Sequence, residues 1–214
     1  MWSRRVERRG RAHVAAVIPS AGASNRFHGF PKACLRVGDE TAIVRIVRMA
    51  LEAECSPVVV VAGPHSPEIQ RALGGAPVHL VRHTDWARGR TGSIQAGLQE
   101  VPDGDDVLLW PVDHPFVDAK SLAALSAAQE SDDLAVWFIP MYLGQGGHPV
   151  YLRAAARPAV QALGPSDPLR RLLPELGPQV RRIPVADPGV VENCDTPEAY
   201  GRYLERWRSA WTDE

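Results

Sequence analysis

The sequence predicts an α/β fold, a mainly parallel sheet with helices on both faces. Three observations carry this. Short continuous apolar runs recur along the chain, bounded by Gly, Pro or Asp. These runs do not alternate with polar residues, which is how strands covered on both faces look. Helical apolar stripes lie between them, and strand, helix, strand in sequence implies parallel pairing.

The first run is Val14–Ile18, followed by a helical stripe of Ile43, Ile46, Val47, Ala50 and Leu51. "PVVVVAG", Pro57–Gly63, and "VHLV", Val78–Val81, read as the next strands. Ile94, Leu98 and Val101 share a helical face, "DVLLWPVD", Asp106–Asp113, is a strand, and Leu122, Leu125 and Ala128 mark a third helix. "LAVWFIPMY", Leu134–Tyr142, is the last clear strand, and the Pro-rich stretch Leu163–Pro178 reads as a loop holding a short helix. The final helix carries Tyr200, Tyr203, Leu204 and Trp207 on one face, with Thr196 as its cap and Pro197 at its first position.

Length and composition narrow the classes. A chain of 214 residues is enough for one good core, so residues 13–214 read as a single domain. Residues 1–12, rich in arginine, read as a disordered basic tail; the apolar run that follows is far shorter than the ~7–15 residues of an export signal. A net charge of -1 argues against a nucleic-acid surface, and no apolar segment approaches the ~20 residues that span a bilayer. Three cysteines, Cys34, Cys55 and Cys194, lack metal-site spacing and fit a reducing, cytoplasmic setting.

The segment "VAAVIPSAGASNRFHGFPKACL" is the first functional signal. Ligands of open α/β sheets bind at the carboxyl ends of strands, and this loop leaves such an end. Ala21, Gly22, Ala23 and Ser24 keep little side chain between their N–H groups and a ligand. Two readings fit: an anion cradle, and tight strand–helix packing. Arg26 and Lys32 follow, and Lys32 is one of only two lysines in a chain that otherwise uses arginine. A compact, mobile ammonium suits charge that moves during a reaction; a surface lysine is the plain alternative. Neither a Walker-type loop nor a G-x-G-x-x-G is present.

Two aspartates come next. Asp113 follows a strand directly, between Pro111 and Pro115, while Asp118 is better placed to cap the next helix. A carboxylate beside a phosphate loop is most simply a Mg²⁺ ligand, because Mg²⁺ uses one or two carboxylates plus substrate phosphates. Asp195 precedes the capping Thr196; it reads as complementing the helix dipole or as a second metal ligand. Gly89, Gly92 and Ser93 suit close approach by a planar ring, and His148 sits before Pro149 in a glycine-rich loop that reads as a substrate contact.

Together these parts resemble the MobA-like molybdenum-cofactor nucleotidyltransferases. The family's opening L-A-A-G-x-S-x-R-M-G-x-x-K stands as "PSAGASNRFHGFPK", with Pro19–Ser20 changed and one extra residue before the lysine. G-D-x-P stands as "VDHP", and the N-P-D-W segment as "HTDWARGRTGSIQAGL". G-H-P-V and D-T-P-E are unaltered at 147–150 and 195–198. Five motifs in order, over about Ala15–Leu204, make the resemblance specific.

The resemblance implies a three-layer α/β/α sandwich with a Rossmann-like sheet of the nucleotide-diphospho-sugar-transferase type. It implies a Mg²⁺-dependent reaction in which an acceptor phosphate attacks the α-phosphate of an NTP and pyrophosphate leaves. Ala21, Gly22, Ala23 and Ser24, with Gly89 and Ser93, would bind the nucleotide. Arg26 would hold the leaving phosphates, Lys32 the α-phosphate, Asp113 and Asp195 the metal, and Gly147 and His148 the acceptor. "GRTGSIQAGL" is similar to the cytidylyl branch, which implies CTP, a molybdopterin acceptor and a molybdenum enzyme as recipient of the product. Two alternatives remain: a non-catalytic nucleotide- or cofactor-binding accessory protein on this fold, and a transferase for a sugar phosphate or other alcohol phosphate.

Overall fold

The structure is a computed structural model and describes residues 13–212; the basic tail expected over residues 1–12 lies outside the described residues. Strand β1 (Val14–Ser20) is followed by a two-residue-per-strand hairpin, β2 (Arg36–Val37) and β3 (Glu40–Thr41), and by α1 (Ala42–Glu52). Then come β4 (Val58–Ala62), α2 (Ser66–Leu73), β5 (His79–Arg82), α3 (Arg90–Leu98) and β6 (Asp106–Leu109). The second half holds α4 (Ala119–Ser131), β7 (Trp137–Tyr142), β8 (Gln145–Gly146), β9 (Val150–Leu152), α5 (Arg157–Gln161), α6 (Leu173–Leu176), β10 (Val180–Pro184) and α7 (Pro197–Thr212).

The main sheet runs β10-β7-β9-β6-β1-β4-β5, with β8 paired to the end of β7. Pairs β6–β1, β1–β4, β4–β5 and β7–β10 are parallel, while β9 lies antiparallel between β6 and β7. Because strand side chains alternate, one register feeds two cores. Ala16, Ile18, Val58, Val60, Leu108 and Phe138 meet α1, α2 and α4 on one face. Ala15, Val17, Val59, Val61, Val107 and Leu109 meet α3 and α5 on the other. This is the expected three-layer sandwich.

Helix α1 forms because Ile43, Ile46, Val47 and Ala50 recur at helical spacing and all are buried, so packing on the sheet sustains it. Leu51, grouped with that stripe on sequence, is instead exposed at the rim of a shallow hollow between α1 and α2. Helix α3 lies so close to the sheet that a Cβ on Gly97 would fall 2.5 Å from Val17 Cγ1. At α7, Thr196 Oγ1 accepts from the Ala199 N–H at 3.2 Å, the expected cap. Asp118 caps α4 by accepting from the Lys120 N–H at 2.8 Å.

The apolar runs became strands, but some ends moved. The Asp106–Asp113 run stops as a strand at Leu109, and residues 110–112 continue beside β1 through single bonds, Trp110 N–H to Val17 O and Val112 N–H to Pro19 O. That extension carries Asp113 to the carboxyl end of β1. Strand β9 lies in the glycine-rich stretch around His148, which on sequence reads as a loop. Its three residues carry no periodic signal, and its partners, such as Val107 opposite Leu152, are far away in sequence.

Candidate functional site

The loop after β1 begins in a buried place and ends in an exposed one. Ser20 and Ala21 are buried, and the position a Cβ of Gly22 would take is open space. Ala21 is pressed from behind by β4: a Cβ on Gly63 would lie 2.4 Å from the Ala21 carbonyl oxygen. Ala23 O bonds the His65 ring nitrogen Nε2 at 3.1 Å. Ser24 adopts a left-handed conformation (φ 54°), followed by a single turn, Asn25–Phe27, that buries Phe27. With left-handed His28 and Gly29, the loop folds back so that the Lys32 N–H donates to Ser24 Oγ at 3.1 Å.

Lys32 is thereby aimed at the end of the chain. Its Nζ donates to Asp195 Oδ1 at 2.6 Å, across 163 residues of sequence. Arg26 Nη1 lies 3.7 Å from the other Asp195 oxygen. The Cys194 N–H donates to the Asp113 carbonyl at 2.8 Å, which ties the segment before α7 to the one after β6.

Asp113 is only 5% exposed. Trp110, fully buried, anchors this turn through its indole N–H to His114 O at 2.9 Å. Arg45 of α1 braces the next turn by donating to Pro115 O and Val117 O, and it stacks on Trp207 of α7. His114 Nδ1 lies 3.0 Å from Asp113 Oδ1, and Arg90 Nη2 lies 3.7 Å from Oδ2. Burial pushes the Asp113 carboxyl towards its neutral form. The hydrogen bond and charge of His114, with Arg90 and Lys32, outweigh it and hold the carboxyl well below the usual range.

Ser20, Ala21, Gly22, Lys32, Ser93 and Asp113 therefore line one cavity, together with Pro19, Trp86, Arg90, Pro111 and Val112. Ala23, Ser24, Arg26 and Asp195 do not line it; Arg26 pairs with Asp195, and Lys32 links Asp195 to the cavity. Gly89 does not line it: the space over its α-carbon is taken by the backbone of Pro165 and Ser166, 2.3 Å from where a Cβ would be. Gly92 is packed on Pro165 too and donates its N–H to Pro165 O, so of the three residues offered to a planar ring only Ser93 faces the cavity. Gly147 is likewise used by packing, against Val190 O. His148 lies one layer behind Asp113, with its ring 4.8 Å from that of His114. Desolvation, with the charge of His114, lowers its pKa to about 3, so the imidazole is neutral near pH 7, and its Nδ1 has no hydrogen-bond partner.

Sequence reasoning gave no site role to Pro19, Ser20, Pro111 or Val112, and it missed two larger side chains of the cavity, Trp86 and Arg90. Both stood inside "DWARGRTGS", but no spacing rule says which side of a short turn faces a strand end. Among the described residues no three His, Cys, Asp or Glu side chains form a metal cage. The two carboxylates instead suit a hard cation that takes its remaining oxygens from phosphates. The ionised, buried Asp113 fits that donor set, and Asp195 is tied to its segment by the Cys194 N–H on the Asp113 carbonyl and by Lys32.

A Rossmann-like, mostly parallel mixed sheet with helices on both faces has the nucleotide-diphospho-sugar-transferase fold, which solved nucleotidyltransferases share. Residues 16–183 match the family model of the MobA-like NTP transferase domain, and the chain belongs to that family. Comparison with curated proteins yields no match. Among solved structures, a homologue of Mycobacterium tuberculosis Rv0371c from Mycobacterium sp. strain JC1 is 27% identical, with TM-score 0.75 over 92% of this chain and 98% of that one. A nucleotidyl transferase from Methanothermobacter is 23% identical, with TM-score 0.79 over 94% and 100%. The complex of Rv0371c with manganese, from M. tuberculosis H37Rv, is 20% identical, with TM-score 0.72 over 90% and 98%. Among the described residues no helix is long and apolar enough to cross a membrane.

Proposed function

We propose that this nucleotidyltransferase transfers CMP from CTP to a phosphate-bearing acceptor, molybdopterin or the molybdenum cofactor, and releases pyrophosphate. The observation that carries the reading is the 2.6 Å contact of Lys32 with Asp195, made beside buried Asp113 at the mouth of the Ala21–Gly22 loop. An acceptor phosphate oxygen attacks the α-phosphorus, the bond from that phosphorus to the bridging oxygen breaks, and pyrophosphate carries the electron pair away. No covalent enzyme intermediate is needed; positioning and charge neutralisation do the catalysis.

Backbone N–H groups of Ala21, Gly22 and Ala23 hold the phosphates, with Ser24 fixing the loop. Lys32 stabilises charge growing on the α-phosphoryl group, and Arg26 takes the leaving phosphates. Ser93 contacts the nucleotide from α3, with Gly89 shaping the turn before it. Asp113 and Asp195 would hold Mg²⁺, which supplies charge neutralisation at the phosphate oxygens; the manganese complex of the Rv0371c relative supports a divalent ion here. Gly147 and neutral His148 serve the acceptor side as supports packed beneath it, with the His148 Nδ1 buried. The CTP preference rests on the segment Gly89–Leu98. We assign the protein to the cytoplasm, which its three free cysteines fit, with a molybdenum enzyme receiving the product.

Calorimetry with CTP, GTP, ATP and UTP in the presence of Mg²⁺, followed by pyrophosphate release with molybdopterin, tests this. CTP preference and release are expected. GTP preference moves the protein to guanylyl transfer, and release only with sugar or other alcohol phosphates replaces the acceptor. Binding with no release for any acceptor makes it a non-catalytic accessory protein.

A further inference from the structure

The cavity holds one charged side chain that the reading above leaves without a task. Arg90 opens α3, and its side chain crosses to the segment after β6. The side chain is 62% exposed, whereas that of Asp113 is 7% exposed. Their 3.7 Å separation is longer than the ~2.7–2.9 Å of a charge-assisted hydrogen bond, so the guanidinium is not locked onto the carboxylate. Asp113 already has a closer partner on its other oxygen, His114 at 3.0 Å. Arg90 thus lies against the Asp113 oxygen that His114 does not bond, with its side chain largely open in the cavity shared with Gly22 and Lys32.

The charges around the cavity point the same way. Three cations, Arg26, Lys32 and Arg90, surround two carboxylates, Asp113 and Asp195. A divalent cation arriving alone adds to a positive excess and must compete with those cations for both carboxylates. A phosphate chain arriving with it supplies the missing negative charge and gives the displaced cations a new partner.

We propose that Arg90 is a phosphate-binding arm of this site, held at Asp113 until a divalent cation takes that carboxylate. This rests on the nucleotidyltransferase reading and adds to it a residue and an order of events: metal and phosphates bind as partners, and Arg90 changes hands between them. Its ligand is the non-bridging oxygens of a triphosphate or pyrophosphate, which a planar guanidinium can take in pairs.

The test uses Arg90→Gln and Arg90→Lys in the full chain, with two binding measurements that do not involve turnover. Electron paramagnetic resonance follows Mn²⁺ binding without nucleotide. Calorimetry follows inorganic pyrophosphate binding at saturating Mn²⁺. Arg90→Gln is expected to bind Mn²⁺ alone more tightly, by roughly fivefold, the effect of removing one unit charge at this distance in a solvent-like dielectric. It is expected to bind pyrophosphate more weakly, by about tenfold or more. Arg90→Lys should fall between. Opposite changes in the two affinities cannot come from a damaged fold, which would weaken both. If wild type binds pyrophosphate with Mn²⁺ and Arg90→Gln matches it, or loses both affinities together, the role of Arg90 is overturned and the wider reading stands. If wild type binds no pyrophosphate, both fall.

Discussion

Gly63→Ala probes the support of the first loop without touching a charged group. The new Cβ would lie 2.4 Å from Ala21 O and 3.1 Å from Ala21 C and Cα. Ordinary contact begins near 3.4 Å, so about 1 Å must be absorbed. Both sides are backbone, and neither yields easily: Ser20 and Ala62 are held in register, and the His83 N–H donates to Ala62 O. Overpacking of this kind costs about 1–3 kcal/mol. Reduced freedom of the unfolded chain returns about 0.4–1 kcal/mol. The expected net loss is about 1–2 kcal/mol, at about 2–4 °C in Tm per kcal/mol for a chain of this size. The displacement falls on the carbonyl at the start of the loop proposed to hold the phosphates, where a shift near 1 Å can cost on the order of 10²-fold in rate. Gly75→Ala is the control, because nothing lies within 4 Å of its Cβ position. Thermal unfolding and pyrophosphate release should both drop for Gly63→Ala, whereas Gly75→Ala should keep its rate and unfold no earlier than wild type. Two variants alike in stability and rate would refute the packing argument.

Further outcomes follow from the same geometry. Asp113→Asn keeps the shape but removes the charge that His114, Arg90 and Lys32 surround; pyrophosphate release should fall by about 10²-fold or more while circular dichroism is unchanged, and full activity would remove Asp113 from the mechanism. Gly201→Ala, inside α7 with open space at its Cβ, should raise stability by about 0.5–1 kcal/mol in urea unfolding. Burial raises the Cys55 thiol from its ordinary value of 9.0 to about 12. The unfolded chain therefore loses this proton first, so its contribution to stability is complete below pH 9 and is lost as pH rises towards 12, at up to ~1.4 kcal/mol per pH unit. Cys55→Ala should flatten the alkaline arm of a Tm–pH profile, and an identical arm would show that the thiol is not shielded.

What the sequence determined by itself was local. Runs such as Val58–Ala62 and stripes such as Ile43, Ile46, Val47 and Ala50 announce strand and helix because the signal is periodicity within a few residues. Thr196 and Asp118 announce helix starts because a cap needs only the next two or three N–H groups. Lys32 stood out by composition, and Asp113 by its place after a strand. The tertiary structure alone decided which of these meet. Lys32 finds Asp195 because three left-handed residues fold the loop back. Gly89 and Gly147, promising on sequence, have their open sides filled by Pro165 and Val190 from distant segments. Arg90 looked like one arginine among many until α3 set it against Asp113. The reversed strand β9 depended in the same way on partners in β6 and β7. Contacts of this kind are fixed by the summed packing of both cores, and no window of neighbouring residues contains that information.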